Sequence, residues 1–90
     1  MLQAEEENKV RETVSNFLLS SINVPNLNDD LNLFESGIVN SLFAVQLMTF
    51  LEKTFGIEIG MDDLDIENFK SITSTTAFVM RKKTAQVAVP

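Results

Sequence analysis

The chain has few side chains able to do chemistry, and their absences narrow the field. With no Cys and no His among 90 residues, disulfides, thiolate nucleophiles, CxxC metal sites and histidine bases or zinc ligands are excluded. What remains is one hydroxyl in a particular place. Ser41 opens the segment that reads as the clearest helix of the chain, from about Ser41 to Phe55. Unpaired backbone N–H groups and the positive end of the helix dipole favour an anion there. A phosphate ester on the Ser41 hydroxyl would be stabilised by position. The ordinary role of a serine at a helix start is capping, but Asn40 precedes it and is the better cap. Geometry alone leaves both roles open.

The acidic stretches offer a second kind of chemistry, and it fails. An EF-hand begun at Asp63 places Asn68 where Gly is needed and Ser74 where Glu is needed; one begun at Asn26 gives Leu31 and Gly37. No metal site is expected. The run Asp62-Asp63-Leu64-Asp65 reads as a solvated helix start, and Arg81, Lys82 and Lys83 as a helix-end device. Phe69 and Ile72 read as core.

Composition bounds the rest. Ninety residues make one domain, which buries about 64% of its unfolded surface, enough for a modest core. A hydrophobic fraction of 44% with 22% charged residues fits an ordered globular chain. The net charge is −6, and residues 1–80 hold all 13 acids against 4 bases. Such a surface repels nucleic acid and suits basic protein partners. The run from Ser36 to Leu51 is too short and polar to span a bilayer, and the first residues, MLQAEEENK, are acidic where a signal peptide is basic. A cytoplasmic, monomeric protein is expected, with no nucleic acid or membrane partner. A stand-alone enzyme is not.

The elements that must position Ser41 follow from periodicity. Val10, Val14, Phe17, Leu18 and Ser21/Ile22 recur at helical spacing and predict a first helix over about Glu5–Ile22, closed by Val24 and Pro25. Residues 23–39 read as a long ordered loop. Its Asn and Asp residues favour local side-chain to backbone bonds, and Leu27, Leu31, Leu33, Phe34 and Ile38 pin it to the core. In the second helix, Phe43, Ala44, Leu47, Met48, Phe50, Leu51 and Phe55 fill about 160° of arc. Gln46, Thr49, Glu52 and Lys53 lie opposite, with Leu42 and Val45 among them. Gly56 stops this helix, and Ile57 and Ile59 anchor the loop after it. A short helix over about Asp62–Asn68 follows. A last helix runs from Ser71 to about Lys82, before a flexible tail at 84–90. The fold class is all-α: a small bundle of three main helices and one short helix.

The stretch Leu33-Phe34-Glu35-Ser36-Gly37-Ile38-Val39-Asn40-Ser41-Leu42, with Phe55-Gly56-Ile57-Glu58-Ile59 one helix later, resembles the acyl carrier protein family. The resemblance covers roughly residues 5–82 and implies a carrier domain over 1–83. It implies that Ser41 receives 4′-phosphopantetheine, covalently, from coenzyme A. A separate phosphopantetheinyl transferase with Mg²⁺ would direct the Ser41 hydroxyl at the β-phosphate. It further implies that Asn40, Leu42, Val45, Gln46, Thr49 and Glu52 meet partner enzymes, and that Phe55 and Ile59 match the apolar pair after the recognition helix. The motif's usual Asp is Asn40 here, and Gln46 and Thr49 leave Glu52 as the main anion of this face.

Phe34 to Leu47 is also similar to free-standing carriers of methoxymalonyl-, hydroxymalonyl- or aminomalonyl-type extender units in polyketide or hybrid peptide–polyketide pathways. That likeness implies acyl-loading and acyl-modifying enzymes as partners, and an acyltransferase or ketosynthase that takes the unit from its thioester. An aminoacyl or peptidyl carrier is one alternative. An unmodified helical interaction domain is the other.

Overall fold

The computed structural model describes residues 2–22 and 27–88, with side chains from 5 to 84 outside the gap. Helix α1 spans Leu2–Ile22, α2 Ser41–Phe55, α3 Ile66–Phe69 and α4 Ile72–Ala88, with a single 3₁₀ turn at Met61–Asp63. There is no strand among the described residues, so the all-α bundle stands. Val24 and Pro25, assigned as the stop of the first helix, lie outside the described residues.

The core is built by one stripe from each long helix. Val10, Val14 and Leu18 of α1 are fully covered, as are Leu47 and Leu51 of α2 and Ile72, Phe78 and Val79 of α4. Phe17 stacks on Phe50 at 4.1 Å and on Phe43 at 5.8 Å, filling the space between α1 and α2. Phe69 meets Phe78 edge-on at 5.0 Å, as aromatic quadrupoles prefer. The partly exposed Phe43, Met48 and Phe55 lie at the margins of this cluster.

The loop from Leu27 to Asn40 is ordered by the expected means. The Asn28 side chain accepts from the Asp30 N–H at 2.8 Å, and that of Asn32 from Phe34 and Glu35 at 3.1 and 2.9 Å. Leu33 is buried, and its N–H donates to the Lys70 carbonyl at 2.6 Å. Thr73 ties the same loop to the start of α4, through its N–H to the Asp29 carbonyl and its hydroxyl to Asp30.

Two expected elements differ. The single short helix is divided: Asp63 closes the 3₁₀ turn, and Asp65 caps α3 by accepting from the Glu67 N–H at 3.0 Å. The last helix runs past Lys82 to Ala88, so the segment placed as a flexible tail is helical backbone through Ala88; residues 89–90 lie outside the description. The three cations therefore sit within α4 and make cross-links. Lys82 pairs with Asp63 at 2.8 Å, Lys83 pairs with Glu6 of α1, and Arg81 donates to Asn68 at 3.1 Å. Asp63 is consequently a tie, not a solvated helix start.

Gly56 ends α2 in the left-handed region at φ 65°, its N–H donating to the Glu52 carbonyl. A methyl added there would meet no atom within 4 Å, so Gly56→Ala should cost about 1 kcal/mol of purely conformational origin. Urea unfolding reads this directly. A loss beyond about 3 kcal/mol would mean that the position is sterically closed.

Candidate functional site

The start of α2 is held by a residue other than its serine. Asn40 is extended, at φ −128° and ψ −176°, and its side-chain oxygen accepts from the Phe43 N–H at 3.0 Å. Its carbonyl accepts from the Ala44 N–H at 3.0 Å. The first-turn N–H groups of Ser41 and Leu42 have no carbonyl four residues back within the helix, and they form the local site that favours an anion. Ser41 itself is exposed. Val39, buried just before the cap, anchors the approach from the core side.

Ser41 lies at the edge of a cleft of about 220 Å³. One wall is Phe34 with Ala44, Val45 and Met48 of α2; the other is Leu64, Asp65, Ile66 and Phe69. The walls are apolar apart from Asp65, whose carboxylate is occupied in capping α3. The apolar character continues from the walls onto the exposed surface. Leu42 is 69% exposed, Val45 55%, Met61 87%, Leu64 54% and Ile66 56%.

Leu42, Val45, Gln46 and Thr49 share one exposed stripe of α2 at helical spacing. The Thr49 hydroxyl is turned back onto the Val45 carbonyl at 3.1 Å. Glu52 is placed differently from the other four. It is half-buried, and its carboxylate accepts from the Ile59 N–H at 2.9 Å, so its charge is engaged by the backbone of the next connection. Ile59 is half-covered and Phe55 packs at the margin of the core beside Lys83. Phe69 is both core and cleft wall.

Leu64 and Ile66 of the cleft wall, and the exposed Met61 just before them, are residues that sequence reasoning did not bring to the site. Their signal was present as three apolar residues interleaved with Asp62, Asp63 and Asp65. Reading that run as the acidic start of one helix concealed it.

A cleft beside an exposed serine, at a helix N-terminus capped independently, can accept a phosphodiester on the hydroxyl and an extended arm along apolar walls. The comparisons agree with that chemistry. The chain matches the family described as phosphopantetheine attachment site over residues 8–79, and it belongs to that family. It is a carrier protein, of a kind that holds groups for other enzymes and is not itself catalytic, and its cofactor is covalent 4′-phosphopantetheine.

The chain is 37% identical over 60 residues to the D-alanyl carrier protein of Enterococcus faecalis, a match covering 64% of this chain and 77% of that protein. It is 35% identical over 54 residues to the D-alanyl carrier protein of Lactococcus lactis, covering 60% and 68%. The protein of the same name in Lacticaseibacillus casei is 45% identical over 38 residues, 42% of this chain and 47% of that one. These relatives are named for an amino acid, not for the extender units suggested by Phe34–Leu47. An interaction domain without a prosthetic group is set aside. Among the described residues no helix is long and apolar enough to cross a membrane.

Asp63 supports the far side of this cleft. The hydrogen bond from Lys82, then that from the Gly60 N–H, hold its carboxyl below the ordinary value of 3.8. A folded pKa below the unfolded one stabilises fully above 3.8 and is lost as pH falls through the lower folded value. In urea unfolding between about pH 6 and pH 2, wild-type stability should therefore fall more steeply than that of Asp63→Asn. Parallel curves would show that the Asp63–Lys82 tie contributes nothing.

Proposed function

We propose that Ser41 is the attachment residue of 4′-phosphopantetheine, and that the chain carries a small polar acyl unit of about three carbons. The observation that supports the attachment is the division of work at the start of α2. Asn40 satisfies the helix, and the Ser41 hydroxyl stands exposed at the mouth of an apolar cleft. The group supplies a flexible arm ending in a thiol, which holds an acyl unit as a thioester and lets a chain without Cys carry one. The N–H groups of Ser41 and Leu42 would hold the phosphodiester, and Val45, Met48, Leu64 and Ile66 would offer the arm an apolar wall.

Cargo size is argued from packing. Aromatic rings pack between the helices: half-buried Phe17 stacks on Phe43 and Phe50 between α1 and α2, and Phe69 meets Phe78 between α3 and α4. A long aliphatic chain gains about 0.8 kcal/mol for each CH₂ it buries, and it would have to displace these ring contacts to do so. A short polar unit has no such need.

The relatives named D-alanyl carrier protein support an aminoacyl unit. The likeness of Phe34–Leu47 supports the second reading, an extender unit of a polyketide or hybrid peptide–polyketide pathway. Partners are a phosphopantetheinyl transferase, a loading enzyme and an enzyme that takes the unit away, an acyltransferase or ketosynthase under the second reading. Leu42, Val45, Gln46 and Thr49 meet them from α2, and Met61, Leu64 and Ile66 from across the cleft.

Incubation with coenzyme A, Mg²⁺ and a broad-specificity phosphopantetheinyl transferase should add one phosphopantetheine to the wild type, read as intact mass. Ser41→Ala should gain nothing and keep its helical circular dichroism, because Asn40 still caps α2. An unmodified wild type, with a transferase active on another carrier, would reject Ser41. Loading of the modified protein by an ATP-dependent ligase supplied with D-alanine, against loading from a malonyl-type thioester, then decides between the two cargo readings.

A further inference from the structure

The connection from Gly56 to Asp65 carries the far wall of the cleft and has to be held in place against α2. Its anchors are specific. Ile57 is buried in the core. The Gly60 N–H donates to Asp63 at 3.0 Å, Asp63 pairs with Lys82 at 2.8 Å, and the Asn68 side chain donates to the Asp63 carbonyl at 2.9 Å. These bonds tie the 3₁₀ turn and α3 to each other and to α4. The Ile59 N–H donates to the Glu52 carboxylate at 2.9 Å and ties the connection to α2 itself.

We propose that Glu52 is a positioning residue, whose carboxylate clasps the Ile59 N–H and thereby sets Met61, Leu64 and Ile66 at their working distance from Ser41. Glu52 lies in the last turn of α2 and seven residues from Ile59, so the bond closes a loop that contains the Gly56 turn. A carboxylate bound to a backbone N–H is a charge-assisted bond, stronger than a neutral one. It is also spent inward. Glu52 then governs partner binding through the shape of the apolar rim and not through its charge, which is the reverse of the steering role that the acidic composition suggests. The proposal rests on reading Ser41 as the attachment site only for its kinetic readout.

The test compares Glu52→Gln, which keeps an acceptor oxygen without charge, with Glu52→Ala, which keeps neither. For a clasp, Glu52→Ala should raise the transferase KM for this carrier about tenfold with kcat unchanged, equally at low and high salt, while Glu52→Gln stays within about twofold of wild type. Hydrogen exchange at the Ile59 amide should accelerate about tenfold or more in Glu52→Ala, and much less in Glu52→Gln. That readout needs no transferase. It therefore separates failure of the clasp from failure of the Ser41 reading. If Glu52→Gln is as impaired as Glu52→Ala, with both defects fading at high salt, Glu52 acts by charge and the proposal is overturned. Unchanged Ile59 exchange in Glu52→Ala overturns it equally.

Discussion

A serine that caps its own helix cannot also be offered freely to another enzyme, and the architecture around Ser41 follows from that constraint. The cap must come from a neighbour, and Asn40 supplies it through both its side chain and its carbonyl. Asn40 can adopt the extended conformation of a cap only if the chain arrives from the right direction. That direction is fixed by Val39 and Leu33, both buried, and by the Val39 N–H bonded to the Leu33 carbonyl at 3.1 Å. Leu33 in turn is held by the Lys70 carbonyl at the entrance to α4. The long loop is thus a bracket, and the exposure of one hydroxyl depends on anchors as far along the chain as Lys70.

The parts of this arrangement legible in the sequence are those carrying their signal locally. Both limits of α2 were readable because Asn40 and Gly56 act through backbone geometry within one turn, and the loop anchors because leucines do not belong in a solvated linker. Elements shaped by distant partners were not. The run at 61–69 contains a cap, a cross-link and three rim residues in the place of one helix, because Asp63 answers to Lys82 across 19 positions. A four-residue helix has too little propensity of its own to be specified by sequence. Glu52 shows the same limit. Its position on the polar face of α2 was correct, yet its bond is to a backbone N–H beyond the helix end, which no side-chain periodicity reveals.

Net charge is correspondingly a weak guide to how this surface works. A charge of −6 suggests a carrier drawn to basic partners. Much of that acidity is committed within the fold: Asp63 to Lys82, Glu6 to Lys83, Asp30 to Thr73, Asp65 to the α3 cap and Glu52 to Ile59. Beside Ser41 stand Leu42, its neighbour in sequence, and Val45, Leu64 and Ile66 of the cleft, all more than half exposed. Apolar side chains held in water at this density gain free energy when a partner covers them, at about 25 cal/mol for each Å² removed. Recognition at such a rim depends on shape, and therefore on how firmly the two walls of the cleft are held relative to each other.

The same reasoning bears on the carried group. A carrier that buries its cargo must keep a cavity, and a cavity in a bundle this small subtracts from a limited core. Here the aromatic stack of Phe17 with Phe50, at 4.1 Å, uses that space for stability. The cleft beside Ser41 remains open along its length, with an apolar rim on both sides. Such a site presents its arm more than it shelters it. The protection of a reactive thioester then falls to each visiting enzyme, and, with Ser41 as the proposed attachment residue, the carrier's contribution is to offer its hydroxyl on a helix start that Asn40 holds. Separating Asn40 from Ser41 makes that possible, because the cap bond from the Phe43 N–H to Asn40 uses no atom of the Ser41 side chain.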